Sequence, residues 1–329
     1  MKLIGLEEHF LTSDIFAARK ALDPRWQEMA PSEAEGGETG RRLADLAGER
    51  LAAMDETGLD VQVLSLTAPG VQSLESDTAS ALASASNDLL AETVRSNPER
   101  FQGFATLATP EPIAAARELE RAVTKLGLNG AMLFGRTGAR NLDHPDNEPI
   151  FEAAAALRAP LFIHPQSPQP AVREAIYSGF GEALDGAFAT HGLGWHYETG
   201  VQILRLILAG TFDRYPDLEI VTGHWGEVVL FYLDRIDDLQ RTAKLACRIS
   251  DYFRRNVSVT PSGVWSQRYL RWAIEMLGVE RIMFSTDYPY RFTPGGGARR
   301  FLDEADLSPV GKEAIAHGNW ERLVESIRR

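Results

Sequence analysis

The sequence predicts a closed (β/α)8 barrel, on three observations. Eight short apolar runs, Leu3–Leu6, Val61–Leu66, Gly103–Leu107, Gly130–Phe134, Pro160–Ile163, Glu219–Thr222, Asn256–Thr260 and Arg281–Ser285, have the length of buried strands. Alanine- and leucine-rich stretches with helical spacing lie between them, as crossover helices of parallel strands require. Several runs finish in a carboxylate or an imidazole: Glu7 and His9, His164, His224, Asp287. A barrel gathers the C-terminal ends of all its strands at one mouth, so these residues converge although they are distant in sequence.

Composition sets the bounds. The chain has 329 residues, 44% hydrophobic and 24% charged, ample for a single large barrel domain over 1–329. Its net charge of −12, with no Lys/Arg cluster, disfavours a nucleic-acid partner. No apolar run approaches the roughly 20 residues of a membrane span, so no membrane partner is expected. The start does not read as a signal peptide. One cysteine, Cys247, forbids an intrachain disulfide, and the cytoplasm is the expected location.

Taken in order, the first strand runs Lys2-Leu3-Ile4-Gly5-Leu6 into Glu7-Glu8-His9-Phe10. Residues i and i+2 of a strand share a face, so Glu7 and His9 aim into one space and Glu8 points away. Helical stretches Gly40–Thr57 and Ser76–Ser96 flank the second strand, and Pro112–Leu126 and Pro149–Leu157 flank the fourth. The fifth strand ends at His164 and the sixth at His224. Tyr197–Phe212, Glu227–Ala246 and Ser266–Leu277 supply later helices, and Pro309–Ile327 closes the chain. The eighth strand leads into Thr286-Asp287-Tyr288-Pro289. Two segments break the alternation, 11–39 and 166–194. Both follow strand ends and are expected to form walls or lids of the active site. Taken singly, each strand-end residue has a plain alternative, a strand cap or a turn. His144 and His317 read as turn and helix residues, whereas His191 and His196 lie in the wall region, within reach of a substrate.

These stretches resemble the amidohydrolase superfamily, in its mononuclear branch of aromatic-acid decarboxylases. The matching stretches are Leu6–Phe10, Pro160–Pro165, Phe212–Leu218, Gly223-His224-Trp225-Gly226-Glu227, Arg281–Pro289 and His317–Leu323. The likeness is greatest to the γ-resorcylate and 2,3-dihydroxybenzoate decarboxylases. It implies one divalent metal ion, Zn or Mn, held by Glu7, His9, His164 and Asp287, with no bridging lysine at the end of the fourth strand. It implies catalytic roles for Asp287, His224 and Glu227, substrate contacts from Arg235 and Tyr290, a small aromatic carboxylate as substrate, and a homodimer or homotetramer. Glu7-Glu8-His9, in place of the His-x-His of many hydrolases, favours a carboxy-lyase. Hydrolysis of a lactone or related ester is the alternative, and a barrel without activity a third. Tyr288-Pro289-Tyr290-Arg291 departs from the Trp-Pro-Phe-Glu of close γ-resorcylate decarboxylases by a hydroxyl and a reversed charge, which leaves the particular acid open.

Overall fold

A computed structural model describes residues 1–29 and 37–329. Among the described residues there are ten strands: β1 (Ile4–Phe10), β2 (Val61–Leu66), β3 (Phe101–Gly103), β4 (Ala105–Thr106), β5 (Ala131–Phe134), β6 (Arg136–Thr137), β7 (Arg140–Asn141), β8 (Leu161–His164), β9 (Ile220–Thr222) and β10 (Val257–Val259). β6 and β7 form a small antiparallel hairpin; every other pairing is parallel. The ring runs β1, β2, β3 with β4, β5, β8, β9, β10.

The third and eighth staves differ from the expected strands. The third is split at Phe104, which donates its N–H to Leu64 on one side while Ala105 donates to Gly130 on the other. The split lets β3 pair with β2 and β4 with β5. The eighth, expected at Arg281–Ser285, is extended backbone with isolated bridges, Ile282 to Val259 and Tyr288 to Glu8. Leu6 and His9 donate N–H to the carbonyls of Phe284 and Tyr288 at 3.0 and 2.7 Å, and Met283 donates to Val259 at 2.9 Å, so the ring closes. Between those bonds the Thr286 N–H goes to the Glu8 carboxylate at 2.8 Å, and the Thr286 hydroxyl follows at 2.5 Å. A side chain thus replaces one rung of the ladder, and a regular strand is not formed.

Inside the ring, Ile4, Leu6, Val61, Val63, Met132, Phe162, Val221 and Met283 fill the lower barrel over Trp320. Leu3, Leu64, Leu66, Leu133, Ile163 and Ile220 face outward to the helices. This is the alternation expected of strands covered on both faces.

Several helices are more broken than the sequence pattern predicts. Gly40–Thr57 divides into Glu38–Ala44 and Gly48–Thr57. Asp45 breaks it, accepting N–H bonds from Gly48 and Arg50. Glu227–Ala246 becomes Val229–Ile236 and Leu239–Ala243, and Pro309–Ile327 passes through a π-turn at Ala314–Gly318. The 166–194 segment holds two short helices, Pro170–Ile176 and Glu182–Ala187. Of the 11–39 segment, residues 30–36 lie outside the described residues, and Ser13–Lys20 is helical.

Candidate metal centre and active site

Glu7 and His9 reach the mouth by way of a β-bulge. Ile4 pairs with Val61 and Gly5 with Gln62, but Glu8 pairs with Leu64, so two residues of β1 oppose one of β2. Ile4 and Leu6 point into the barrel. Unbroken alternation would carry that face on to Glu8. The extra residue shifts the phase and turns Glu7 and His9 inward. Glu8 is left outside with Gly5, where a Cβ on Gly5 would lie 2.2 Å from the Glu8 carboxylate. There the buried Arg50 binds Gln62 and the His9 carbonyl, and burial, outweighing Thr286 and Arg50, pushes the Glu8 carboxyl up to about 8.

At the mouth, Glu7, His9, His164 and Asp287 each present a donor atom within 4.8 Å of the others. His164 Nε2 is 3.2 Å from Glu7 Oε1, and His9 Nε2 is 3.5 Å from Asp287 Oδ1. Donors about 2.1 Å from a tetrahedral ion sit about 3.4 Å apart, so the spacing suits a divalent metal. Glu7 Oε1 and His9 Nε2 are buried and have no hydrogen-bond partner. Such atoms are costly unless something binds them. The remaining atoms of these side chains are tied down. His164 Nδ1 is 2.8 Å from the Pro165 carbonyl, which fixes its proton there and leaves Nε2 for a metal. Ser262 donates its hydroxyl to Glu7 Oε2, and Ser65 lies 3.3 Å from His9 Nδ1. The residues fit one divalent ion.

Electrostatics describe the same void. Burial, then the nearby Glu7 and Glu8, hold the Asp287 carboxyl well above the usual range. Burial and His164 hold His9 well below the ordinary imidazole value. Burial opposes ionisation of Glu7, but His224, His164 and His9 lower it overall.

His224 follows β9 by two residues. His224, Trp225, Gly226, Glu227 and Val228 all have positive φ, and Asp287 has φ +63°. Non-glycine residues in this region are strained and collect at functional sites. The tight turn brings His224 Nδ1 to 2.8 Å from Glu227 Oε1. The other oxygen, Oε2, lies 2.7 Å from His196 Nδ1. These three are closer than metal donors sit to one another, and hydrogen bonds describe them. Burial alone would raise the Glu227 carboxyl, but His224 and His196 bring it down to about 2. A depressed carboxyl contributes stability that is present above its unfolded value, 4.5, and lost as pH falls through about 2. Glu227→Gln is therefore expected to flatten the acid limb between those values, by about 3 kcal/mol at most. Urea titrations across pH measure it, and an unchanged acid slope would refute it.

The site opens into a cavity of about 490 Å³ lined by His164, His196, His224, Asp287 and Tyr290, among others. Tyr290 Oη is 2.7 Å from Thr67 Oγ1, and burial pushes its phenol up to about 12. Arg291 also lines the cavity. Both irregular segments contribute, Phe16, Arg19 and Glu28 from the first and His191 from the second, and Trp195 joins them from the start of the helix Gly194–Leu208. Glu28 joins the two by accepting from Ser167 and from Trp195 Nε1. Arg235 lies away from this cavity: its side chain is 82% exposed and pairs with Asp238 at 2.9 Å. It lies on the outward side of the helix Val229–Ile236, whose buried face carries Val229, Leu230 and Leu233. Glu28, Trp195 and Ser262 escaped the sequence reading. Ser262 alone carried a signal, two residues past an expected strand end.

A barrel with a Glu-x-His, a His and an Asp gathered at its mouth defines a metal-dependent amidohydrolase-type protein. The sequence profile described as Amidohydrolase matches residues 9–325, and the chain belongs to that family. Within it, γ-resorcylate decarboxylase of Polaromonas sp. strain JS666 is 35% identical over 335 residues, covering 97% of each chain. The 5-carboxyvanillate decarboxylase of Sphingomonas paucimobilis superposes with a TM-score of 0.88 at 38% identity, over 98% of this chain and 99% of that one. A dihydroxybenzoic acid decarboxylase from Polaromonas sp. JS666, solved with manganese and the inhibitor 2-nitroresorcinol, superposes at 0.85 with 34% identity, over 98% and 97%.

Proposed function

We propose that this chain is a metal-dependent non-oxidative decarboxylase of a hydroxylated aromatic carboxylic acid, a carbon–carbon lyase. The observation that carries the reading is the four-donor cluster, with two orphaned buried donors, opening into a cavity of about 490 Å³. The end-to-end similarity to aromatic-acid decarboxylases supports it. Glu7, His9, His164 and Asp287 hold one divalent ion. The donor set accepts zinc or manganese, and manganese in a related structure favours the latter. When bound, the ion supplies a Lewis acid beside the substrate's carboxylate and ortho oxygen.

The chain's own residues then do the following. Asp287 takes up a proton as the substrate enters and gives it to the ring carbon that bears the carboxylate. The bond from that carbon to the carboxylate breaks, its electron pair returns to the ring, and CO₂ leaves. Asp287 is left ionised and is reprotonated from solvent. His224, held by Glu227, orients the substrate, and the Tyr290 hydroxyl contacts it. The described parts of segment 11–39, and segment 166–194, wall the site of one barrel domain and exclude water. Exposed Phe231, Tyr232 and Trp272, with Phe231 stacked on Trp272 at 5.8 Å, support a homo-oligomer. No helix among the described residues is long and apolar enough to cross a membrane, and we assign the protein to the cytoplasm.

The test is CO₂ release from 2,6-dihydroxybenzoate, 2,3-dihydroxybenzoate and 5-carboxyvanillate by protein reconstituted separately with Mn²⁺ and Zn²⁺. Metal-dependent release from at least one is expected. With the metal site full, failure on all three and turnover of a lactone panel would replace this reading by hydrolysis.

A further inference from the structure

The strand-end motifs account for Glu227 and His224, but not for the second imidazole on the same carboxylate. His196, on the helix Gly194–Leu208, places Nδ1 2.7 Å from Glu227 Oε2. Its Nε2 lies 3.3 Å from the carbonyl oxygen of His191. A carboxylate and a carbonyl both accept only. A neutral imidazole has one N–H, so either tautomer would turn a lone pair against one of these oxygens. The imidazolium alone satisfies both. The ring centroids of His196 and His224 are 4.5 Å apart, and the two imidazoles take different oxygens of Glu227.

We propose that His196 is a positioning residue, held as an imidazolium between Glu227 and the His191 carbonyl, that locks the carboxylate on which His224 rests. Glu227 accepts from Nδ1 of His224 with its other oxygen, and second carboxylate contacts of this kind fix a ring's orientation. The Nε2 of His224 has no hydrogen-bond partner among the described residues, and the ring lines the cavity. His196 thereby holds the His224 ring in the orientation it presents to the cavity. What that ring does to a substrate rests on the decarboxylase reading; the charge of His196 does not.

The charged and titratable groups facing His196 are Glu227, His224, His191 and, at longer range, Glu7. Burial works against the cation, but Glu227, the His191 carbonyl and Glu7 together raise the His196 imidazole above its ordinary value.

The test is ¹⁵N NMR of histidine-labelled protein, with and without diamagnetic zinc, which needs no substrate. One histidine with both ring nitrogens protonated is expected to persist at about pH 8, well above the ordinary imidazole range near 6.5. That signal should vanish in His196→Gln and, if that variant does not fold, in Glu227→Gln. A His196 that is singly protonated near neutral pH overturns the proposal. His196→Gln is also expected to shift the ring ¹⁵N resonances of His224, because the carboxylate it rests on is no longer held. Unmoved His224 resonances would make His196 merely structural.

Discussion

Asp287→Asn is expected to lower kcat by about 10³-fold or more while leaving the protein folded and metal-bound. General acid catalysis accounts for roughly 10²–10⁴-fold in typical enzymes. The substitution is chosen for what it preserves. Asp287 has φ +63°, a region asparagine tolerates better than most residues. The Asn carbonyl can still face His9, as Asp287 Oδ1 does at 3.5 Å. The negative charge and the ionisable proton are lost, while one oxygen donor remains. The measurement is single-turnover CO₂ release on protein whose metal content has been assayed. A metal-replete variant within tenfold of the parent would remove Asp287 as proton donor.

His9→Ala and His164→Ala are each expected to reduce bound metal from about one ion per chain to a small fraction, and to abolish turnover. The two imidazoles supply half of the four donors, and no other histidine is poised to replace them. His191 and His196 line the same cavity, but His196 Nδ1 is bound to Glu227. The stability consequence has a definite sign. A ligand that binds only the folded chain stabilises it by RT ln(1 + [L]/Kd), about 2.7 kcal/mol at a hundredfold excess over Kd. Adding Mn²⁺ or Zn²⁺ should therefore raise the Tm of the parent protein and leave both variants unmoved. Elemental analysis showing full occupancy in either variant would refute the ligand assignment.

Much of the site could be read along the chain because a barrel reduces part of a three-dimensional question to a one-dimensional one. An apolar run of strand length ends somewhere, and whatever polar residue stands there faces the mouth. His164 closes β8 in this way, and Asp287 follows the eighth stave. His224 was also found, although β9 stops at Thr222 and a strained turn carries the imidazole the rest of the way. Tyr290 was placed at the cavity by its neighbour Asp287.

Other features depend on partners distant in sequence. Glu7 and His9 share a face by simple alternation, but which face is decided by the bulge opposite β2, and that register is a property of the pair. The eighth stave reads as a strand, yet Glu8 takes the Thr286 N–H and interrupts its ladder across 278 residues of sequence. Arg235 sits in a motif the resemblance marked, and only the fold shows that it stands on the exposed side of its helix beside Asp238. His196 lies 31 residues before Glu227, and nothing in its sequence surroundings pairs the two. The sequence by itself determined the eight-fold β/α alternation, the residues at the strand ends and therefore the donor types of the metal centre, because these follow from period and position. Tertiary structure alone decided which way β1 faces, what closes the ring and which imidazole shares Glu227, because each is set by the hydrogen-bonding needs of groups that meet only after the barrel has closed.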